Sequence, residues 1–284
     1  MTTCLSDNAC WILSRVLLLE EFTAMRLRHR EAGAGPTVLL LHASIADSRM
    51  WEPQLRSIGG AGWRTVAVDL PGFGESPACD DRPVHESVLE TADALGIVDF
   101  YLAGTSLGAH VALDIARAAP ARVRSLVLAC PGLGGVGPAA TTEELWRREE
   151  EAIESGDLEA ATEIGLEMWI AGPDRRLEDL DPGFVKHVRE LALMCNRRQA
   201  EATSWPQFAE PPVHEALEQI EVSTLIFSAT HDQPHLAEVC AMAARRLPHA
   251  RLVTIGSGHL PNLEQPQEFD SLFLAHLEQT ARQP

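Results

Sequence analysis

Residues 102–110 read LAGTSLGAH, and they place one hydroxyl, Ser106, between Gly104 and Gly108 in the spacing Gly-x-Ser-x-Gly. An apolar run closes at Tyr101-Leu102, and Val111-Ala112-Leu113-Asp114-Ile115 continues with helical spacing. The glycines are either ordinary turn punctuation or clearance that lets a serine stand exposed where a strand turns sharply into a helix. A serine hydroxyl is a weak nucleophile until a base removes its proton, and that base must be oriented by a third group. The chain supplies both later on: SATHD carries Asp232, and GSGH carries His259. The chain order is therefore Ser106, Asp232, His259.

The elements that must position these groups are read from periodicity. Strand-like runs fall at Thr37 to Leu41, Thr65 to Val68, Phe100 to Ala103, Ser125 to Ala129, Thr224 to Phe227 and Arg251 to Ile255. Several are continuously apolar, the pattern of strands covered on both faces. Helical patterns lie between them at His85 to Leu95, Leu107 to Ala118, His235 to Arg246 and Gln267 to Glu278. The alternation predicts an α/β fold with a mostly parallel sheet and right-handed crossovers. In such a sheet the loops at the strands' carboxyl ends face one crevice, so Asp232 and His259, each just after a strand, belong beside Ser106. Between Pro131 and Ile220 the alternation stops, and the helical patterns there predict an insertion, with starts at Thr141-Thr142, Asp157 and Asp181-Pro182. The expected division is a core of residues 25–130 and 221–284, a helical cap of 131–220, and an arm of 1–24. That arm is read as an appended segment or the product of an upstream start codon, with a surface helix as the alternative.

Five segments carry a family resemblance: GTSLG, LLLHAS, DLPGFGES, SATHD and GSGHLPNLEQPQEF. In this order they resemble the α/β-hydrolase superfamily, from about residue 25 to the end. The resemblance implies Ser106 as nucleophile, His259 as general base and Asp232 as the acid that orients it. It also implies an oxyanion hole from the backbone amides of Leu107 and Ser44. Members usually read His-Gly where this chain has His42-Ala43, which puts the loop's backbone angles, and the donor at Ser44, in question. Some relatives carry the acid one strand earlier, where this chain has Cys130-Pro131, and that favours Asp232. Serine at the elbow speaks against the dehalogenase and epoxide-hydrolase branches, and the absence of proline in Ala43-Ser44-Ile45 against the perhydrolase branch.

What the resemblance implies is acyl transfer without a cofactor, on a small to medium carboxylic ester or lactone. A carbon–carbon hydrolase of ring-cleavage diketones uses the same triad, and a non-catalytic small-molecule receptor is the reading from another class. Trp146, Trp169, Ile170, Phe184, Met194 and Trp205 are candidates for an acyl pocket, and Met50 and Trp51 for its border, with core packing as the alternative for each. His42 and His110 are read as structural, Glu264 as an anchor of the histidine loop, and Asp69 as a turn residue.

Composition narrows the partners. The 284 residues carry 41 acidic against 23 basic side chains, a net charge of −18, which argues against nucleic acid and anionic membranes. Trp11 to Leu19, broken by Arg15, is too short for the roughly 20 residues of a spanning helix and lacks the positive flank of a secretory signal. Cysteines 4, 10, 79, 130, 195 and 240 show no paired spacing, so a reduced, cytoplasmic protein is expected. His231, Asp232 and His235 lack a second ligand cluster, so no metal is expected. The run Gly132-Leu133-Gly134-Gly135-Val136-Gly137 matches a dinucleotide fingerprint, but Pro138 and a threonine-rich stretch precede any helix, so it is read as a hinge. Oligomeric state is left open, a homo-oligomer included.

Overall fold

A computed structural model describes residues 26–79, 82–201 and 206–282; the expected arm and Trp205 lie outside the described residues. Seven strands form one sheet: β1 (His29–Ala32), β2 (Thr37–Leu41), β3 (Arg64–Val68), β4 (Phe100–Thr105), β5 (Val123–Ala129), β6 (Thr224–Ala229) and β7 (Ala250–Ile255). Their spatial order is β1-β3-β2-β4-β5-β6-β7, with β1 antiparallel to β3 and every other pair parallel. Helices α1 (Glu52–Gly60), α2 (Val84–Ala94) and α3 (Leu107–Ala118) come from the first half, and α7 (Pro234–Arg246) and α8 (Pro266–Ala281) from the second. Three more, α4 (Ala140–Glu154), α5 (Leu158–Leu166) and α6 (Pro182–Glu201), lie between β5 and β6.

The apolar run of β2 shows why the sheet must be covered twice. Successive side chains of a strand point to opposite faces. Leu39 and Leu41 thus join one core layer with Leu102, Val111 and Leu113, while Val38 and Leu40 join the other with Phe227, Phe269 and Phe273. Helix α3 covers the first face and α8 the second. Each fully buried side chain of this size stabilises the fold by about 1.5–3 kcal/mol relative to exposure.

Two elements escaped the periodicity reading. Strand β1 reads HREA and is largely exposed, so it offers no apolar alternation; pairing with β3 makes it a strand. Helix α1 includes Pro53 and a Gly59-Gly60 end, and its buried residues are few. The start expected at Thr141-Thr142 is real, but α4 begins at Ala140 with no side-chain cap; the Thr142 hydroxyl donates to Gln233 Oε1 at 2.7 Å instead. Asp157 caps α5 as expected, accepting from the Ala160 amide at 3.0 Å. No helix among the described residues is long and apolar enough to cross a membrane.

Candidate active site

The elbow explains its own glycines. Ser106 has φ 52° and ψ −112°, a left-handed conformation that side-chain-bearing residues rarely adopt, and it caps α3 directly after β4. A Cβ at Gly104 would lie 2.2 Å from the Gly108 carbonyl oxygen, and one at Gly108 would lie 2.2 Å from that of Leu41. Both contacts are impossible, so only glycine lets the turn close against β2. The result is a half-buried Ser106 held between buried neighbours at the carboxyl edge of the sheet.

Asp232 follows β6 and His259 follows β7. The His259 Nδ1–H donates to Asp232 Oδ2 at 2.7 Å, and the Gln233 amide donates to Oδ1 at 2.8 Å. Both side chains are almost wholly buried. A carboxylate can only accept, so this bond leaves His259 Nε2 with its lone pair available. Ser106 and His259 are not hydrogen-bonded to each other here; nucleophile–base contacts are often long until substrate closes them. Trp169 joins the two groups: its ring lies 4.8 Å from that of His259 and lines the same cavity as Ser106.

The residues expected to supply the oxyanion donors line the same cavity as Ser106. The amides of Ser44 and Leu107 have no backbone acceptor among the described residues, and both residues line the cavity. Ala43 does not need glycine's freedom: Ser106 and Cys130 are the non-glycine residues with positive φ among those described. His42 holds this loop from below. Its Nδ1–H donates to the Ala43 carbonyl at 2.9 Å, its Nε2 accepts from the Leu70 amide at 2.9 Å, and burial holds its pKa below the usual imidazole range. Asp69 ties the neighbouring turn, accepting from the Ser48 amide at 2.8 Å and the Glu75 amide at 3.0 Å.

The inserted helices grip the histidine loop. The His259 amide donates to the Trp169 carbonyl at 2.9 Å, and Gln233 Nε2 donates to that of Met168 at 2.7 Å. Arg175 forms a largely buried ion pair with Glu264, whose Oε2 accepts from the Gly258 amide at 2.8 Å. Glu264 thus holds the backbone of the residue preceding His259, as its expected anchoring role requires.

Several expected pocket residues need correction. Trp146 and Trp169 line the cavity, but Met50 and Trp51 do not. Both are fully buried: Met50 Sδ accepts from the Ala43 amide at 3.3 Å, and Trp51 packs 6.3 Å from Phe269. Ile170 is buried as well, and its carbonyl accepts from Arg175, while Met194 is exposed on the outside. Phe73, His110, Phe208, Asn196, Gln199 and Glu149 line the cavity without having been singled out for it. His110 stacks on Phe208 at 4.0 Å and contacts the Gly132 carbonyl through Nδ1 at 3.1 Å. Asn196 and Gln199 lie three apart on α6, a spacing that shares one helix face and was the available signal. The glycine run after β5 lines the cavity too, through Gly132, Leu133 and Val136.

Candidate metal ligands regroup. His231 pairs with Asp174 at 3.0 Å, while Cys130, Asp232 and His259 place donor atoms within 4.8 Å of one another. Their chemistry fits a hydrogen-bonded set better than a metal cage: His259 Nδ1 is engaged by Asp232, and burial drives the Cys130 thiol well above its usual pKa, away from thiolate. The described cysteines 79, 130, 195 and 240 are buried thiols outside any disulfide.

Comparison with known proteins bears on the fold and family. A family model described as "Alpha/beta hydrolase family" matches residues 38–272. The 3-oxoadipate enol-lactonase 1 of Acinetobacter baylyi is 24% identical over 84% of this chain and 87% of its own length. A 2-hydroxy-6-oxononadienedioate/2-hydroxy-6-oxononatrienedioate hydrolase of Paraburkholderia phymatum is 36% identical, but over 42% of this chain and 45% of its own. The crystal structure of a hydrolase from Pseudomonas aeruginosa superposes with a TM-score of 0.72 at 28% identity, covering 88% of this chain and 93% of that one. With its sheet order, its elbow and a matched span from β2 into α8, the chain belongs to the alpha/beta hydrolase family.

Proposed function

We propose that the protein is a serine hydrolase that cleaves small to medium carboxylic esters or lactones through an acyl-enzyme on Ser106. In the first step His259 Nε2 takes the hydroxyl proton as Oγ attacks the carbonyl carbon, and the amides of Leu107 and Ser44 receive the oxyanion. Each such donor is worth about a hundredfold to a thousandfold in rate, because it meets charge that appears only in the tetrahedral intermediate. Collapse expels the alcohol, protonated by His259, and a water molecule then repeats the sequence on the acyl-enzyme. Asp232 holds the imidazole in the tautomer that keeps Nε2 basic. In this reading residues 131–220 act as a cap, with Trp146 and Trp169 over the acyl group.

The observation that carries the proposal is the 2.7 Å bond from His259 Nδ1 to Asp232, which leaves the opposite nitrogen free on a ring 4.8 Å from that of Trp169, a residue lining the cavity of Ser106. Similarity to an enol-lactonase over most of the chain supports the lactone arm. The carbon–carbon hydrolase is a second reading, supported by the 36% identity to the Paraburkholderia protein over part of the chain. A fluorophosphonate probe tests the nucleophile: stoichiometric labelling, lost in Ser106→Ala together with about a millionfold of turnover, is the expected result. An unlabelled native protein would favour a binding role instead. Aryl esters of graded length, lactones and a ring-cleavage diketone then separate the two enzymatic readings.

A further inference from the structure

The cavity in front of Ser106 has a volume of about 980 Å³ and an unusual charge lining. Glu149, Glu150 and Glu154 of α4 face it, together with the rings of Phe73, Phe208, Trp146 and Trp169, and no Arg or Lys lines it among the described residues. Glu149 is the deepest of the three acids. Its Oε1 would lie 2.6 Å from a Cβ placed on Gly165 of α5, and the same point is 3.6 Å from Ile45 Cδ1, next to the Ser44 donor. Of the other acids nearby, Glu144 and Glu151 pair with Arg147 and Glu163 with Arg189, while Glu150 and Glu154 are more exposed than Glu149. Glu149 has no hydrogen bond or ion pair among the described residues. His235, 8% exposed, lines the same cavity with its ring 6.0 Å from that of Trp146, and its Nδ1 has no hydrogen-bond partner.

We infer that this cavity selects substrates that carry an ammonium group near the scissile bond, with Glu149 as its counter-charge and Trp146 and Trp169 as flanking aromatic faces. The inference rests on the reading of Ser106 as the nucleophile of this cavity. Glu149 is half-buried, and a carboxylate partly withdrawn from water without a partner is relieved either by taking up a proton or by meeting a cation. Burial alone pushes the Glu149 carboxyl up to about 7, and no neighbouring charge contributes. An ammonium supplies the missing charge, and ring faces add attraction for it. A dianionic substrate, such as the dioates named for the Paraburkholderia relative, meets like charge on α4 and no compensating base.

The pH dependence follows from the groups around Glu149. Its packing neighbours from α5 and the Ser44 loop, Gly165 and Ile45, carry no charge; Glu150 and Glu154 share its helix. Across the cavity, burial holds the pKa of both His110 and His235 below the usual imidazole range, which favours their neutral forms. Ammonium binding favours ionised Glu149, so affinity for the cation rises as pH climbs through about 7.

Binding is measured by calorimetry on the Ser106→Ala protein, with acetate esters of 4-aminobutanol, pentanol and 5-hydroxypentanoate as cationic, neutral and anionic probes of matched length. The expected order is cation, neutral, anion, with the cation favoured over the neutral probe by roughly tenfold to a hundredfold at pH 8 and less at pH 6. Glu149→Gln should level the first two, and Glu149→Lys should favour the anion. Equal or tighter binding of the anion, a cation preference that survives Glu149→Gln, or no binding of any probe overturns the inference. Loss of the hydrolase reading has its own signature: no fluorophosphonate label on native protein while the cation-first order persists.

Discussion

Replacing Asp232 by asparagine exchanges one carboxylate oxygen for an NH₂ group at nearly constant shape, and the two bonds at that side chain decide which oxygen it is. Oδ1 accepts from the Gln233 amide at 2.8 Å, and Oδ2 accepts from His259 Nδ1 at 2.7 Å. An asparagine that turned its oxygen toward the imidazole would set its NH₂ against the Gln233 N–H, donor to donor, at under 3 Å. The favoured orientation keeps oxygen on Gln233 and points NH₂ at Nδ1. His259 must then accept at Nδ1 and carry its proton on Nε2, the nitrogen that receives the proton of Ser106 in the proposed mechanism. The ring stays in place and its basic atom faces the wrong way. For a triad acid this error costs roughly ten-thousandfold in kcat, about 5.4 kcal/mol of activation free energy. Single-turnover hydrolysis of an aryl acetate measures it, with thermal unfolding to show that the fold persists and a Ser106→Ala control to set the floor. A variant that keeps more than a tenth of native kcat would refute the assignment of Asp232 as the acid.

Gly108→Ala forces a Cβ to 2.2 Å from the Leu41 carbonyl, so a loss of at least about 2 kcal/mol is expected in urea unfolding; native-like stability would mean that the turn can relax. Glu264→Gln breaks the largely buried pair with Arg175 and weakens the acceptor of the Gly258 amide, so stability should fall by about 3 kcal/mol and kcat should drop more than KM, checked by denaturation and steady-state kinetics. His276 titrates in the folded protein at about 4, lowered by burial and then by Arg251. Its contribution to stability is therefore complete above the unfolded value of about 6.5 and is lost as pH falls toward 4, at up to about 1.4 kcal/mol per pH unit. Unfolding curves from pH 7 to 4 should show that slope lessened in His276→Gln.

The inserted helices show how a site can depend on residues that carry no chemistry. Met168 and Trp169 contribute carbonyls, one to Gln233 beside Asp232 and one to the amide of His259. Such contacts use atoms every residue possesses, so no residue type or spacing announces them. Met50 and Trp51 show the reverse: an apolar pair following the oxyanion loop reads equally as pocket or core, and only the packing of α8 against them, through Phe269, makes them core. Strand β1 was invisible for a related reason, since its partner β3 supplies the pairing that its own exposed side chains do not advertise.

What the amino-acid order determined by itself was local or periodic: six strand-like runs, several of them continuously apolar, the glycines flanking Ser106, and an acid and an imidazole each placed directly after a strand. These follow from steric and hydrophobic rules that act within a few residues. The tertiary structure decided everything that depends on two distant segments meeting. It chose which oxygen of Asp232 faces His259, put a cysteine beside that pair, and turned three glutamates of α4 toward the cavity of Ser106. A helix face is legible from spacing, but which cavity it lines is set by the neighbours it packs against, and those are tens to more than a hundred residues away.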